Sequence, residues 1–124
     1  MLKVHVQKLG DIKVFCLRGG IGVTETSVLR RSVLSHLDVR SIVLDFAKVN
    51  RIDAAGLGLL LELREETEAK AITFKLMNVT KLVQHVLDMT CLSSVFHITS
   101  EGEVISTSAR NRTGGTFKLI PCAQ

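Results

Sequence analysis

The stretch Ile42–Gly58, IVLDFAKVNRIDAAGLG, decides the fold. It opens within a β-branched, mostly apolar run, Ser41–Phe46, which is typical of a central strand covered on both faces. Asp53 follows, and its carboxylate can accept hydrogen bonds from the free amides of a first helical turn. Gly56 and Gly58 lie inside the predicted helix, where each costs about 1 kcal/mol relative to alanine. Close packing of the helix on the sheet, or close approach of a partner's backbone, would favour the missing side chains.

Two strands and a helix precede this stretch. Apolar and polar residues alternate over Leu2–Gln7, which is the period-2 pattern of a half-buried strand. A second apolar run, Ile12–Leu17, follows after a short turn, so the two runs predict an antiparallel hairpin. Thr24 is the predicted N-cap of a helix that ends near Leu37 and carries apolar residues at helical spacing.

Helices and strands alternate in the rest of the chain. The pattern predicts a helix over Asp53–Ala69, a strand over Ala71–Met77 and a helix capped by Asn78. A last short strand is predicted at Ser94–Ile98, and a weak helix at Glu101–Ala109. This order predicts an α/β sandwich with a mainly parallel sheet of four to five strands. The N-terminal hairpin strand is antiparallel, and about four helices pack on the sheet.

Length and charge limit the classes of protein that fit. A chain of 124 residues suits one compact domain, which we place at residues 1–109. Residues 110–124 lack apolar periodicity and are predicted to form a flexible basic tail with a segment able to dock at Thr116–Ile120. The net charge is a modest +4 and Trp and Tyr are absent, so nucleic-acid binding is not expected. The sequence shows neither a signal peptide nor a bilayer-length apolar run, so we expect a cytoplasmic protein without membrane insertion.

The sequence contains no set of residues with catalytic or metal-ligating spacing. Nucleophile-elbow, P-loop and zinc-protease motifs are absent, and the three cysteines and four histidines lack zinc-ligand spacing. The glycine-rich stretch Gly19–Gly22 lacks the third glycine of a dinucleotide site and the Gly-Lys-Ser/Thr of a P-loop. A plain turn is therefore the preferred interpretation, and a nucleotide-binding regulator is an alternative. We expect no enzyme activity, no cofactor and no metal.

Three parts of the chain share features with one known family. The segment Ile42–Gly58 resembles the hallmark region of STAS domains, whose anti-sigma factor antagonists carry Asp-Ser-Ser/Ala-Gly-Leu-Gly after a central strand. Val14–Gly22 is similar to the family's second strand and its G-x-L-D turn. Lys81–Leu92 is similar to a later helix of the V-x-x-x-L-x-x-x-G-L type. Together the resemblance to the STAS domain family, anti-sigma factor antagonist type, covers roughly Leu2–Ala109.

This resemblance implies a cytosolic binding module. Antagonists of this type capture an anti-sigma factor, often a serine kinase of the GHKL type, and so free a sigma factor. The partner-binding residues implied here are Asp53, Ala54, Ala55, Gly56, Leu57 and Gly58. A homodimer is a further expectation. Two alternatives stay open: a STAS adaptor or scaffold subunit of a stressosome-like or lipid-transport ATP-binding cassette complex, or a capped helix with no binding role.

The sequence departs from the family pattern at three positions. Phosphorylatable antagonists carry, directly after the Asp, the Ser or Thr that the kinase modifies. Here that position is Ala54, followed by Ala55, so neither residue offers a hydroxyl. Gly22 replaces the Asp of the G-x-L-D turn, and Cys91 stands where a glycine is usual. These departures predict the family's fold without its usual phosphorylation switch.

Overall fold

A computed structural model describes residues 2–100 and 102–104, which form one mixed sheet with helices packed on it. The strands, in sheet order, are β1 (Leu2–Leu9), β2 (Ile12–Ile21), β3 (Ser41–Ile52), β4 (Thr73–Met77) and β5 (His97–Thr99). The helices are α1 (Thr26–Leu34), α2 (Ala54–Ala69) and α3 (Lys81–Met89), and residues 102–104 are also helical. Strands β1 and β2 pair antiparallel, and the other neighbours pair in parallel. The predicted fold is confirmed. The predicted domain end at residue 109 and the predicted basic tail lie outside the described residues.

The larger core lies between the three helices and one face of the sheet. Its fully buried helical residues are Leu29 and Val33 of α1, Leu60 and Leu63 of α2, and Val83 and Leu87 of α3. A smaller cluster covers the other face and consists of Leu9, Ile12, Val14, Cys16, Val43, Met77 and Val104. Strand β3 is therefore buried on both faces, which explains why the run Ile42–Phe46 is apolar at every position except Asp45.

Strands β2 and β3 extend further than their apolar runs suggest. Strand β2 continues to Ile21, so the predicted turn over Gly19–Gly22 is wrong for Gly19, Gly20 and Ile21, and only Gly22 lies outside the strand. The β2–β3 register shifts twice, between Cys16 and Arg18 and again between Gly19 and Gly20. Gly19 has a φ of 114° beside the second shift, a conformation that favours glycine. Glycine at this position thus allows the irregular pairing of the long strands β2 and β3.

The connections place the start of every helix at one edge of the sheet. Strands β2, β3 and β4 are parallel, and each is followed within a few residues by a helix. The first turns of α1, α2 and α3 therefore lie together at the carboxyl edge of these strands, where α/β proteins commonly bind their ligands. The position of α2, between β3 and β4 in the chain, puts the Asp53–Gly58 segment at this edge.

Two predicted helix caps are wrong. Glu25, and not Thr24, occupies the N-cap position of α1, without a side-chain cap bond. Thr80 caps α3, because its hydroxyl oxygen accepts a hydrogen bond from the Val83 N–H at 3.3 Å. The predicted cap, Asn78, has a φ of 55° and instead donates from Nδ2 to Asp45 Oδ1 at 3.2 Å.

Candidate functional site

Asp53 begins helix α2 as predicted. Its backbone is extended, and its Oδ1 accepts a hydrogen bond from the Gly56 N–H at 3.0 Å. Its own N–H donates to the Ile21 carbonyl oxygen at 3.2 Å, which ties the start of α2 to the end of β2. The carboxylate satisfies one of the amides that a helix leaves without an internal partner and lies at the positive end of the helix dipole.

Removing this cap should lower the stability of the domain, and the loss should be larger for a substitution that removes the side-chain oxygen than for one that keeps it. Asp53→Ala is expected to lower the free energy of unfolding by about 1 kcal/mol, because the Gly56 N–H loses its acceptor. Asp53→Asn keeps a side-chain oxygen and should stay within about 0.5 kcal/mol of the wild type. Urea denaturation of the three proteins measures the difference. An equal loss of unfolding free energy in both variants would contradict the capping role and would show that the negative charge of Asp53 is what stabilises the helix.

The two glycines of the segment have different surroundings. A Cβ built on Gly56 would lie 2.3 Å from the Ile21 carbonyl oxygen and 2.9 Å from Ile52 Cγ1. Close packing of α2 on the strand ends therefore accounts for Gly56. A Cβ built on Gly58 would have none of the described atoms within 4 Å, and Gly58 is exposed. Packing within the described residues does not account for the second glycine, so its surface is open to the close approach of another molecule.

The six predicted partner-binding residues divide into two groups. Gly56 and Leu57 are buried and hold α2 against the sheet. Asp53, Ala54 and Gly58 are exposed, and Ala55 is half-buried. The outward surface consists of methyl groups and backbone beside one carboxylate. Val23, in the connection between β2 and α1, adds a side chain that is 71% exposed. A single valine between two elements gives no sequence signal of exposure, so sequence reasoning did not identify it.

A second carboxylate lies beside Gly22 although position 22 itself has none. Glu25 Oε1 accepts a hydrogen bond from the Gly22 N–H at 3.0 Å, and the Thr24 hydroxyl also donates to this carboxylate. These two hydrogen bonds, the Thr24 bond first, hold the pKa of Glu25 below its ordinary value. A Cβ on Gly22 would lie 2.9 Å from Asp53 Oδ2 and 3.2 Å from Glu25 Oε1. Sequence reasoning noticed the missing Asp at position 22 and overlooked Glu25.

Two cavities lie outside the Asp53–Gly58 segment. One, of about 350 Å³, is lined by the end of α2, the start of β4 and residues near β5, including Arg64, Ile72 and His97. The other, of about 280 Å³, is lined by Lys3, Arg18, Gly19, Lys48 and Asn50.

In the part of the chain that the structure describes, no three His, Cys, Asp or Glu side chains come together as a metal site. Within the same residues, no helix has the length and apolarity needed to cross a membrane.

The described residues also match a known family. The family model described as the STAS domain matches residues 3–104, a range that contains every helix and helix cap described above. The chain belongs to the STAS domain family. The resemblance noted in the sequence is thereby confirmed for the family, and this STAS domain carries Ala54 directly after the capping Asp53.

Solved structures share the fold of this STAS domain at low sequence identity. The anti-sigma factor antagonist SpoIIAA in its unphosphorylated form is 21% identical, with 92% of this chain and 100% of that chain covered and a TM-score of 0.71. An anti-sigma factor antagonist from Mycobacterium paratuberculosis is 15% identical, with coverages of 87% and 94% and a TM-score of 0.76. A sulfate transporter family protein from Wolinella succinogenes is 16% identical, with coverages of 79% and 84% and a TM-score of 0.64.

Proposed function

We propose that this STAS domain is a non-catalytic, cytoplasmic regulatory module that binds an anti-sigma factor and promotes release of the sigma factor. The partner is a serine kinase of the GHKL type, and the contact is the outward surface of the Asp53–Gly58 segment. Two of the structures described above, SpoIIAA and the Mycobacterium paratuberculosis protein, are anti-sigma factor antagonists by name. Similarity of fold supports the class of function, and the residues of this chain support the location of the site.

The observation that carries the proposal is the exposed Gly58. A glycine in a helix interior costs about 1 kcal/mol relative to alanine. At Gly56 this cost is offset, because the missing side chain lets α2 pack against Ile21. At Gly58 no contact with the described atoms offsets the cost. A partner whose backbone lies directly on α2 would use the space that a side chain at position 58 would fill. The small side chains of Ala54 and Ala55 on the preceding turn leave the same approach open.

The module binds without the usual covalent switch. Ala54 follows Asp53 directly, at the position where phosphorylatable antagonists carry Ser or Thr. A kinase transfers phosphate to a hydroxyl oxygen, and neither Ala54 nor Ala55 has one. Binding of the anti-sigma factor is therefore controlled by other means, such as the concentrations of the two proteins.

Incubation of the domain with ATP and the purified kinase is expected to leave its intact mass unchanged. Ala54→Ser should gain the mass of one phosphate, because it restores a hydroxyl at the family's position. Peptide spectra would locate any modification. Stoichiometric phosphate on Thr24, Thr26 or Ser27 of the wild type, close to the same edge of the sheet, would contradict an unswitched module.

A second candidate is an adaptor role, since the fold also occurs in a protein that is not an antagonist by name, the sulfate transporter family protein from Wolinella succinogenes. A STAS domain can act as an adaptor subunit of a larger assembly, either a stressosome-like scaffold or a lipid-transport ATP-binding cassette complex. Affinity purification from the source cells distinguishes the candidates, because an adaptor would be recovered with a cassette subunit or scaffold proteins and an antagonist with a small kinase.

A further inference from the structure

Three positive side chains lie directly opposite one another on neighbouring strands. In the register of the sheet, Lys3 of β1 pairs with Arg18 of β2, and Arg18 pairs with Lys48 of β3. All three residues are exposed, and we call them the basic row. Neighbouring strands lie about 4.8 Å apart, so the three charges are attached to backbone positions within about 10 Å. Like charges placed directly opposite one another disfavour the pairing of strands.

Among the described residues, four other positive side chains are paired with carboxylates. The described ion pairs are Lys13–Asp38, Arg30–Glu62, Arg40–Asp11 and Arg64–Glu68. Among the described residues, neither Lys3 nor Lys48 has a carboxylate within 4.0 Å. The basic row also lines a cavity of about 280 Å³ together with Gly19 and Asn50, and no acidic residue contributes to that lining. The cavity therefore presents positive charge to whatever enters it.

The basic row is close enough to the Asp53–Gly58 segment to contact the same partner. Lys48 precedes Asp53 by five residues on β3. At a rise of about 3.3 Å per residue, the two positions lie within roughly 17 Å. A standard protein interface buries about 800 Å² on each partner, which corresponds to a patch about 30 Å across. One protein bound at the start of α2 can therefore also cover the basic row.

We propose that the basic row is a second, electrostatic contact that receives an acidic, Asp- and Glu-rich part of the surface of the same protein partner. The proposal rests on the proposed function, since the partner is the anti-sigma factor. Charges at the edge of an interface act mainly on the association rate, because they attract the partner before the apolar contact forms. Nucleic acid fits the row less well, because three cations without an aromatic stacking residue give weak, salt-sensitive binding.

The test compares two double variants that lose the same amount of charge. Lys3→Gln/Lys48→Gln removes the outer members of the basic row. Lys8→Gln/Lys70→Gln serves as the control, because these two exposed lysines lie near the amino ends of the parallel strands, at the edge of the sheet opposite the start of α2. Association and dissociation rate constants are measured against the purified GHKL-type anti-sigma factor, at about 25 mM and about 500 mM salt. The row variant should associate roughly tenfold more slowly at low salt and like the wild type at high salt. Its dissociation rate should change less than about twofold, and the control should stay within about twofold in both constants.

Four results would overturn the proposal. Equal slowing of the row variant and the control would show an effect of net charge alone. Unchanged kinase binding, with lost binding to a DNA duplex or to phosphatidylserine vesicles, would assign the row to a different ligand. Ala54→Asp, measured alongside, separates this inference from the function on which it rests. If Ala54→Asp binds weakly and the row variant binds normally, the basic row alone is refuted; if the wild-type domain itself does not bind the anti-sigma factor, the proposed function fails and the basic row with it.

Discussion

Gly56→Ala is expected to lower the free energy of unfolding by about 3 kcal/mol, near the upper end for an overpacked core position. The new Cβ would lie 2.3 Å from the Ile21 carbonyl oxygen, which belongs to the backbone of β2. The backbone cannot swing aside as a flexible side chain could, so α2 must shift. The same carbonyl accepts the Asp53 N–H at 3.2 Å, and a shift of the helix strains that hydrogen bond as well.

Gly58→Ala is the matched control, because it makes the same chemical change two residues along the same helix. None of the described atoms lies within 4 Å of the new Cβ, so the gain in helix propensity should stabilise the domain by up to about 1 kcal/mol. Urea denaturation measures both variants, and unchanged m-values would show that the native and denatured states keep their compactness. Similar destabilisation by both alanines would contradict the separate roles assigned to the two glycines.

Ala54→Asp is expected to weaken binding of the anti-sigma factor by about 2–4 kcal/mol, or roughly 30- to 1,000-fold in Kd. The exposed methyl group of Ala54 lies at the centre of the proposed contact, and a carboxylate there would be buried against the partner without a matching charge. The fold should remain intact, because the free amides and the dipole at a helix N-terminus favour an anion. Calorimetric titration gives the Kd, and circular dichroism verifies folding.

Ala54→Ser provides the control for side-chain size. Its hydroxyl is small and uncharged, so the unphosphorylated variant should bind within a few-fold of the wild type. If Ala54→Asp bound as tightly as the wild type, the start of α2 would not be the contact surface.

Local patterns predicted the central part of the fold. The apolar run before Asp53 has a strand's length and composition, and an Asp before a helical pattern is a strong N-cap signal. Both depend only on neighbours in the chain, and both are confirmed. The strand's true end at Ile52 was not predictable in this way, because pairing with β2 through two register shifts extends it beyond its apolar part.

Features that depend on distant residues escaped prediction. Asn78 looks like a helix cap in the sequence, but its side-chain amide donates a hydrogen bond to Asp45, which lies 33 residues earlier in the chain. Gly56 and Gly58 look equivalent in the sequence, and the positions of Ile21 and Ile52 distinguish them. The basic row likewise cannot be recognised in the sequence, because only the register of three strands brings Lys3, Arg18 and Lys48 opposite one another.

The contact surface itself can be mapped residue by residue. The most direct measurement is the change in backbone amide chemical shifts of the isotope-labelled domain during titration with the purified anti-sigma factor. We predict the largest changes at Ala54, Ala55 and Gly58, with smaller changes along the basic row. Changes confined to the distant cavity lined by Arg64 and His97, with the Asp53–Gly58 segment unaffected, would contradict the proposed contact.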